Sequence, residues 1–280
     1  MKNLLSTILI LSLLASATAG EFKLIKDISY ADWTHQADDY AKERLKLDLY
    51  LPKDKTDFAT IVWFHGGSIQ SGNKTGKVTV PVAERFAKDG IAVVSVNYRL
   101  SPKVTFPTYI QDCAASVVWT LKQIESHGGN KGNVFVSGHS AGGYLAAMVG
   151  LDPRFLEVHG HKPSDIAGYI PVAGQMITHS TVRKEQGIPK FQPVIDKAAP
   201  AFHASKTTPP FLCLVGDKDL AARLEENELF VAFMKAQKNP HIELHLGIDR
   251  NHNTIAANLA NQDDPGAARI FEFIEKHSMK

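Results

Sequence analysis

Asn133-Val-Phe-Val-Ser-Gly138-His139-Ser140-Ala141-Gly142-Gly143 is the stretch on which the reading of this chain turns, with Tyr144-Leu-Ala-Ala-Met148 directly after it. A short apolar, β-branched run feeds into Gly-x-Ser-x-Gly, and a run rich in Ala, Leu and Met follows. That order suits a strand, a very tight bend carrying a serine, and a helix. Only small residues fit two before and two after such a bend. The helix is expected to aim its N-terminal N–H groups at the space over the serine. With glycine near 7% of residues, the five-residue pattern arises by chance in about one chain in ten of this length. Alone, then, it leaves open a plain Gly-rich turn, and the stretches around it must decide.

Working outward, Leu45-Lys-Leu-Asp-Leu-Tyr-Leu51 alternates with period two and stops at Pro52. It is expected as an edge or early strand with one buried face. Thr60-Ile-Val-Trp-Phe64 is a continuous apolar run, hence a central strand, and it leads straight into His65-Gly66-Gly67-Ser68. A helix is expected around Val80–Asp89, a strand over Ile91–Val96 and an amphipathic helix from Tyr109 to His127. After the serine helix, Ile166–Ala173 and Phe211–Val215 read as strands, separated by a polar, Pro-interrupted stretch that reads as a short cap at about 178–210. A helix over Glu225–Gln237, an alternating strand over Ile242–Leu246 and a helix over Ala267–Lys276 complete the chain. Strands alternating with helices argue an α/β chain with a doubly wound, mostly parallel sheet. Chemistry in such sheets gathers at the carboxyl ends of the strands.

The 280 residues are 44% apolar and carry a net charge of +2. A core of that size serves one domain, and so small a net charge gives no reason to expect a nucleic-acid or anionic-membrane partner. Lys2, the apolar run Leu4–Leu14 and Ala17-Thr18-Ala19 have the order of a secretory signal peptide cut after Ala19. Its apolar stretch of about 11 residues falls short of the roughly 20 that span a bilayer. The expected organisation is therefore a signal peptide over 1–19 and a catalytic domain over 20–280, exported to a periplasm or beyond. Cys113 and Cys213 sit in apolar runs and read as buried hydrophobes rather than a disulfide. No spacing suggests a metal site, and no cofactor is expected.

A serine hydroxyl attacks carbonyls only when a neighbouring base takes its proton, and histidine suits that task near neutral pH. A carboxylate on the other ring nitrogen fixes the tautomer and stabilises the imidazolium. Chain order Ser…Asp…His is the one expected for this sheet type, and Ser140, Asp219 and His252 satisfy it at strand ends. Asp217 is the alternative acid, while Asp249 reads as a surface turn residue. His245 lies within a strand and is the alternative base. His139 packs beside the serine but cannot act as its base from the adjacent position. His159, His161, His179 and His203 read as surface or cap residues, and Arg183, Lys184 and Lys190 as solvated charges. Arg99 and Asp112 are expected to hold a loop through an ion pair. The Gly66-Gly67 pair at a strand end allows main-chain N–H groups to face a cleft.

These pieces in this order resemble the α/β-hydrolase superfamily, and within it the hormone-sensitive-lipase-like carboxylesterases. The likeness rests on Leu47-Asp-Leu-Tyr-Leu-Pro52, His65-Gly66-Gly67, Tyr98-Arg99-Leu100-Ser-Pro102, Gly138-His-Ser140-Ala-Gly-Gly143, Gly216-Asp-Lys-Asp219 and His252. The resemblance implies a triad of Ser140, Asp219 and His252, with an oxyanion hole formed by the amides of Gly66, Gly67 and Ala141. Ser68 stands where many relatives carry a third glycine, and His139 where typical lipase-like members carry Asp. Both are more similar to secreted feruloyl- and acetyl-ester hydrolases and to the kynurenine-formamidase-like branch. The expected activity is hydrolysis of short-chain or aryl carboxylic esters, some of them carbohydrate-linked. Formamide or amide hydrolysis by the same triad is the alternative. A peptidase is disfavoured for want of a propeller or other gating domain in these residues, and a silent hydrolase-fold binding protein because every chemical position is filled.

Overall fold

A computed structural model describes residues 20–31, 38–189 and 191–279, so the expected signal peptide lies outside the described residues. Eight strands form one sheet: β1 (Phe22–Ser29), β2 (Lys46–Pro52), β3 (Phe58–Phe64), β4 (Ala92–Val96), β5 (Gly129–His139), β6 (Gly168–Val172), β7 (Phe211–Lys218) and β8 (Ile242–Asn251). Their order across the sheet is β1-β2-β4-β3-β5-β6-β7-β8. Only β2 runs against the others, pairing antiparallel with β1 and β4. The helices are α1 (Asp39–Arg44), α2 (Thr79–Lys88), α3 (Thr108–Gln123), α4 (Ala141–Leu151), α5 (Arg154–Glu157), α6 (Ser180–Glu185), α7 (Arg223–Ala236), α8 (Thr254–Ala257) and α9 (Pro265–His277).

Period-two alternation divides the strand side chains between two cores. Val62 and Phe64 of β3 join Val134 and Val136 of β5 beneath α3, α4 and α7. Ile61 and Trp63 point the other way, toward Phe86 of α2, Ile255 of α8 and Phe273 of α9. Burial on both faces explains why these strands read as unbroken apolar runs.

The expectation for β2 needs correction. It is an inner strand buried on both faces, not an edge strand with one buried face. Its polar face is closed by an ion pair: Asp48 accepts from Lys74 Nζ at 2.6 Å and also from the Asp27 N–H at 2.8 Å. The edge belongs to β1, whose pairing slips between Ile25 and Ile28. Cys113 and Cys213 are both free and buried. Arg99 grips Asp112 through Nε and Nη2 at 2.9 and 2.7 Å, so the expected loop-holding ion pair is present.

Strand register brings the chemistry together. Phe64 lies opposite Gly138, which sets His65-Gly66-Gly67 beside the serine bend. Lys218 lies opposite Asn251, so the next residues of those strands, Asp219 and His252, emerge side by side.

Candidate active site

Ser140 occupies the bend between β5 and α4 with φ 57° and ψ −116°, a conformation that costs a non-glycine residue about 1–3 kcal/mol. Its N–H donates to the Val172 carbonyl at 2.8 Å, which pins the bend to the neighbouring strand. Steric need for small flanking residues is direct. A Cβ on Gly142 would lie 2.0 Å from the Phe64 carbonyl oxygen, and one on Gly138 would lie 2.6 Å from it. Both contacts are with backbone, which has nowhere to go. Gly142→Ala is therefore expected to lower stability by about 3 kcal/mol and to displace Ser140. Chemical denaturation together with an activity assay checks this; an unchanged midpoint with full activity contradicts it.

Around Ser140 the hydrogen bonds form one chain. His252 Nε2 lies 2.8 Å from Ser140 Oγ, and His252 Nδ1 lies 2.7 Å from Asp219 Oδ1. The Asp219 side chain is 1% exposed. Burial pushes its carboxyl up, but the hydrogen bond and charge of His252, the Leu220 N–H and Arg223 outweigh that and hold it below the usual range. Asp217 is exposed and accepts from the Arg250 N–H at 3.1 Å, away from the imidazole. Asp249 pairs with Lys218 at the surface. His245 stays within β8.

His139 has a part that the sequence left unassigned. Its Nε2–H donates to the His252 carbonyl at 2.7 Å, tying the serine bend to the loop that carries the imidazole. Burial, then the nearness of His252, brings His139 down to about 4.

The His65-Gly66-Gly67 turn is held from behind. His65 stacks on Tyr98 with ring centroids 4.3 Å apart, and the Tyr98 hydroxyl donates to the His65 carbonyl. His65 Nδ1–H donates to the Gly66 carbonyl at 2.7 Å, leaving Nε2 to accept from Arg44 Nη2 at 3.3 Å. In a trans peptide the C=O and the next N–H point in opposite directions. Turning the Gly66 carbonyl onto His65 thus turns the Gly67 N–H away from it. Gly67 sits at φ 114° with no room for a Cβ. Ser68, at φ 55°, takes a conformation that glycine adopts freely. Among the described residues, the N–H groups of Gly66, Gly67 and Ala141 donate to no protein acceptor. The Thr181 hydroxyl of α6 donates to the Ser68 carbonyl.

Ser140 and His252 open into a cleft of about 690 Å³, within the size range of small-molecule sites. Two expectations fail at its wall. His179 is not a surface residue but is buried in the cleft, its Nδ1 accepting from the Thr181 N–H at 3.2 Å. Arg183 is not a solvated charge; it is 4% exposed, lines the cleft and donates to the Thr178 carbonyl at 2.6 Å. Lys184 is exposed as expected, and Lys190 lies outside the described residues. Gln175, Arg223 and Glu226 complete a polar wall that the sequence reading did not find. Among the described residues no three His, Cys, Asp or Glu side chains cluster as a metal site requires. No helix among them is long and apolar enough to cross a membrane.

Three buried histidines set a pH dependence of stability. Burial lowers His65 and His179 to about 3, and His139 to about 4. Below about 6.5 the unfolded chain takes up protons that the native state refuses. Stability therefore falls as pH drops from about 6.5 toward those values, by up to about 1.4 kcal/mol per pH unit for each histidine. Urea midpoints measured from pH 7.5 to 5 are expected to decline steeply; a flat series contradicts the burial of these rings as neutral species.

A mostly parallel eight-stranded sheet, with Ser, Asp and His meeting at the ends of β5, β7 and β8, defines an α/β-hydrolase. The chain belongs to the prolyl oligopeptidase family, which matches residues 109–280, and residues 47–167 also match the BD-FAE family. It is similar to a probable carboxylic ester hydrolase, LipM, of Mycobacterium tuberculosis, at 27% identity over 76% of this chain and 54% of that protein. It is also similar to the kynurenine formamidase of Danio rerio, at 36% identity over 37% of this chain and 34% of that protein. Among solved structures, a truncated carbohydrate esterase from gut microbiota superposes with a TM-score of 0.75 at 17% identity. That match covers 94% of this chain and 99% of the other. The chain spans about half the length of LipM, and the structural likeness speaks for the fold alone.

Proposed function

We propose that this chain is an exported serine carboxylesterase acting on short-chain or aryl esters without a cofactor. One observation carries the reading: the continuous hydrogen-bonded line from Ser140 Oγ through His252 to the buried Asp219 carboxylate. Ser140 attacks the ester carbonyl while His252 Nε2 takes its proton, and Asp219 holds the imidazole in the tautomer that can do so. The amides of Gly66, Gly67 and Ala141 receive the oxyanion, a role supported by their having no acceptor among the described residues. His252 then protonates the leaving alcohol, and a water activated by the same ring releases the acid from Ser140. Export is supported by the signal-like order of residues 1–19.

The test is a series of p-nitrophenyl esters from acetate to palmitate. Turnover is expected to peak at acetate or butyrate and to fall at least tenfold by the longest chain. A preference for palmitate refutes the short-chain reading. Formamide hydrolysis is the second reading, supported by the likeness to a kynurenine formamidase. N-formylkynurenine turned over faster than aryl acetates favours it. Peptide p-nitroanilides belong in the same screen because of the family's name.

A further inference from the structure

The wall of the cleft that holds Arg183 and Arg223 carries more positive charge than the reaction just proposed requires. Arg223, the first residue of α7, is buried and lines the cleft with Ser140 and His252. Its Nη1 donates to the carbonyl of Ala173, at the end of β6. Arg183 enters from α6, buried as well. Burial pulls Arg223 below its usual range, with Glu226 and Asp219 opposing the shift and Arg183 adding to it, and burial does the same to Arg183 against the opposing charge of Glu226.

The acidic side of the balance is thin. Among the described residues that line the cleft, Glu226 is the one carboxylate. Its oxygens accept from Gln175 Nε2 at 3.2 Å and the Met176 N–H at 3.3 Å. It stands 3.8 Å from Arg223 Nε, beyond hydrogen-bond reach. Asp219 is turned onto His252 behind the cleft surface. His179 adds a donor: its Nδ1 accepts from Thr181, so the ring proton sits on Nε2. Apolar surface lies elsewhere, at the rim, where Phe191 and Leu220 are 87% and 53% exposed.

Glu226 meets the buried Arg223 only at ion-pair distance and without a hydrogen bond, and a planar guanidinium fork matches a carboxylate in two parallel hydrogen bonds. We infer that the cleft contains a carboxylate-recognition subsite built on Arg223, with Arg183 and His179 beside it, so that the favoured ester carries a carboxylate near its scissile bond. The inference rests on the esterase reading for the word ester, but not for the subsite, which binds carboxylates whatever the reaction. An aryl or alkyl body resting on Phe191 and Leu220 places such a charge at the buried wall.

The experiment uses matched pairs that differ only in charge. For a carboxylate on the alcohol side, 4-carboxyphenyl acetate is compared with 4-carbamoylphenyl acetate. For one on the acyl side, the mono-p-nitrophenyl ester of terephthalic acid is compared with p-nitrophenyl 4-carbamoylbenzoate. In at least one pair the charged ester is expected to show a kcat/KM at least tenfold above its neutral partner, and the pair that responds tells which side the subsite serves. Arg223→Gln is expected to bring that ratio close to one, and Arg223→Lys to keep part of it. If Arg223 only braces Ala173, both esters slow together and the ratio stands, which overturns the inference. Ratios at or below one in both pairs of the wild type also overturn it. Should Arg223→Gln fail to fold, Arg183→Gln carries the comparison, with an expected drop in the ratio and an unchanged ratio counting against.

Failure of the esterase reading shows separately, as no turnover of any ester including p-nitrophenyl acetate. Calorimetric titration of Ser140→Ala protein with benzoate and with benzamide then decides the subsite. Benzoate binding at least tenfold tighter supports it, and equal affinity overturns it.

Discussion

Replacing Ser140 by alanine is expected to reduce ester hydrolysis by roughly 10⁴- to 10⁶-fold, the range seen when a triad nucleophile is removed. The reason is geometric. Among the described residues, Ser140 Oγ is the hydroxyl within hydrogen-bond distance of His252 Nε2. A fluorophosphonate probe should label the wild type and leave Ser140→Ala unlabelled. Stability should barely change, because alanine inherits the same bend. Ser140→Gly separates the two contributions. At φ 57° and ψ −116° glycine is relieved of the strain that a side chain bears, so this inactive variant is expected to gain up to about 1–3 kcal/mol. Hydrolysis retained by folded Ser140→Ala would move the nucleophile elsewhere.

The second large effect is expected at Asp219. In Asp219→Asn the amide donates to His252 Nδ1, which drives the ring proton onto Nε2. There it blocks acceptance of the Ser140 proton, and kcat should fall by about 10³- to 10⁴-fold with little change in KM. Asp217→Asn is the matched comparison. Asp217 is exposed and holds the Arg250 N–H, so its replacement should alter turnover by less than about threefold. Equal losses at the two positions would mean that the acid has been wrongly assigned.

Why Asp219 and not its neighbour was only half legible in the sequence. Asp217 is the penultimate residue of β7 and Asp219 lies directly after the strand, and the choice is made by an irregularity between Gly216 and Lys218 in the pairing of β7 with β8. No residue pattern announces such a slip. The serine bend was legible because its constraint is local: two backbone contacts forbid a Cβ at Gly138 and Gly142, and the sequence obeys. The central strands β3, β4 and β5 were legible because burial on both faces leaves mostly apolar residues, whereas Asp48, buried in an ion pair with Lys74, gives the inner strand β2 the alternation of an edge. β1 was missed for the converse reason. Its alternation is broken by the slip between Ile25 and Ile28, with Asp27 at φ 59°, and it packs along an exposed edge. The polar wall of the cleft was invisible for a third reason. Gln175 and Glu226 are far apart in the chain, and Arg223 reads as an ordinary helix residue until the fold carries it to Ala173. His179 reads as a surface or cap residue and Arg183 as a solvated charge because burial of a polar side chain leaves no trace in composition.

The hydrogen bond from Thr181 to the Ser68 carbonyl makes the roof of the pocket and the turn beside the nucleophile mechanically one part. A substrate bulky enough to lever α6 outward drags Ser68, and with it the peptide planes of Gly66 and Gly67, out of alignment. Such a molecule can still be held, but it is held over a misaligned catalyst. Size selection then appears as slow conversion of a well-bound ester, and a Thr181→Val enzyme, with that linkage cut, trades some speed on small esters for tolerance of large ones.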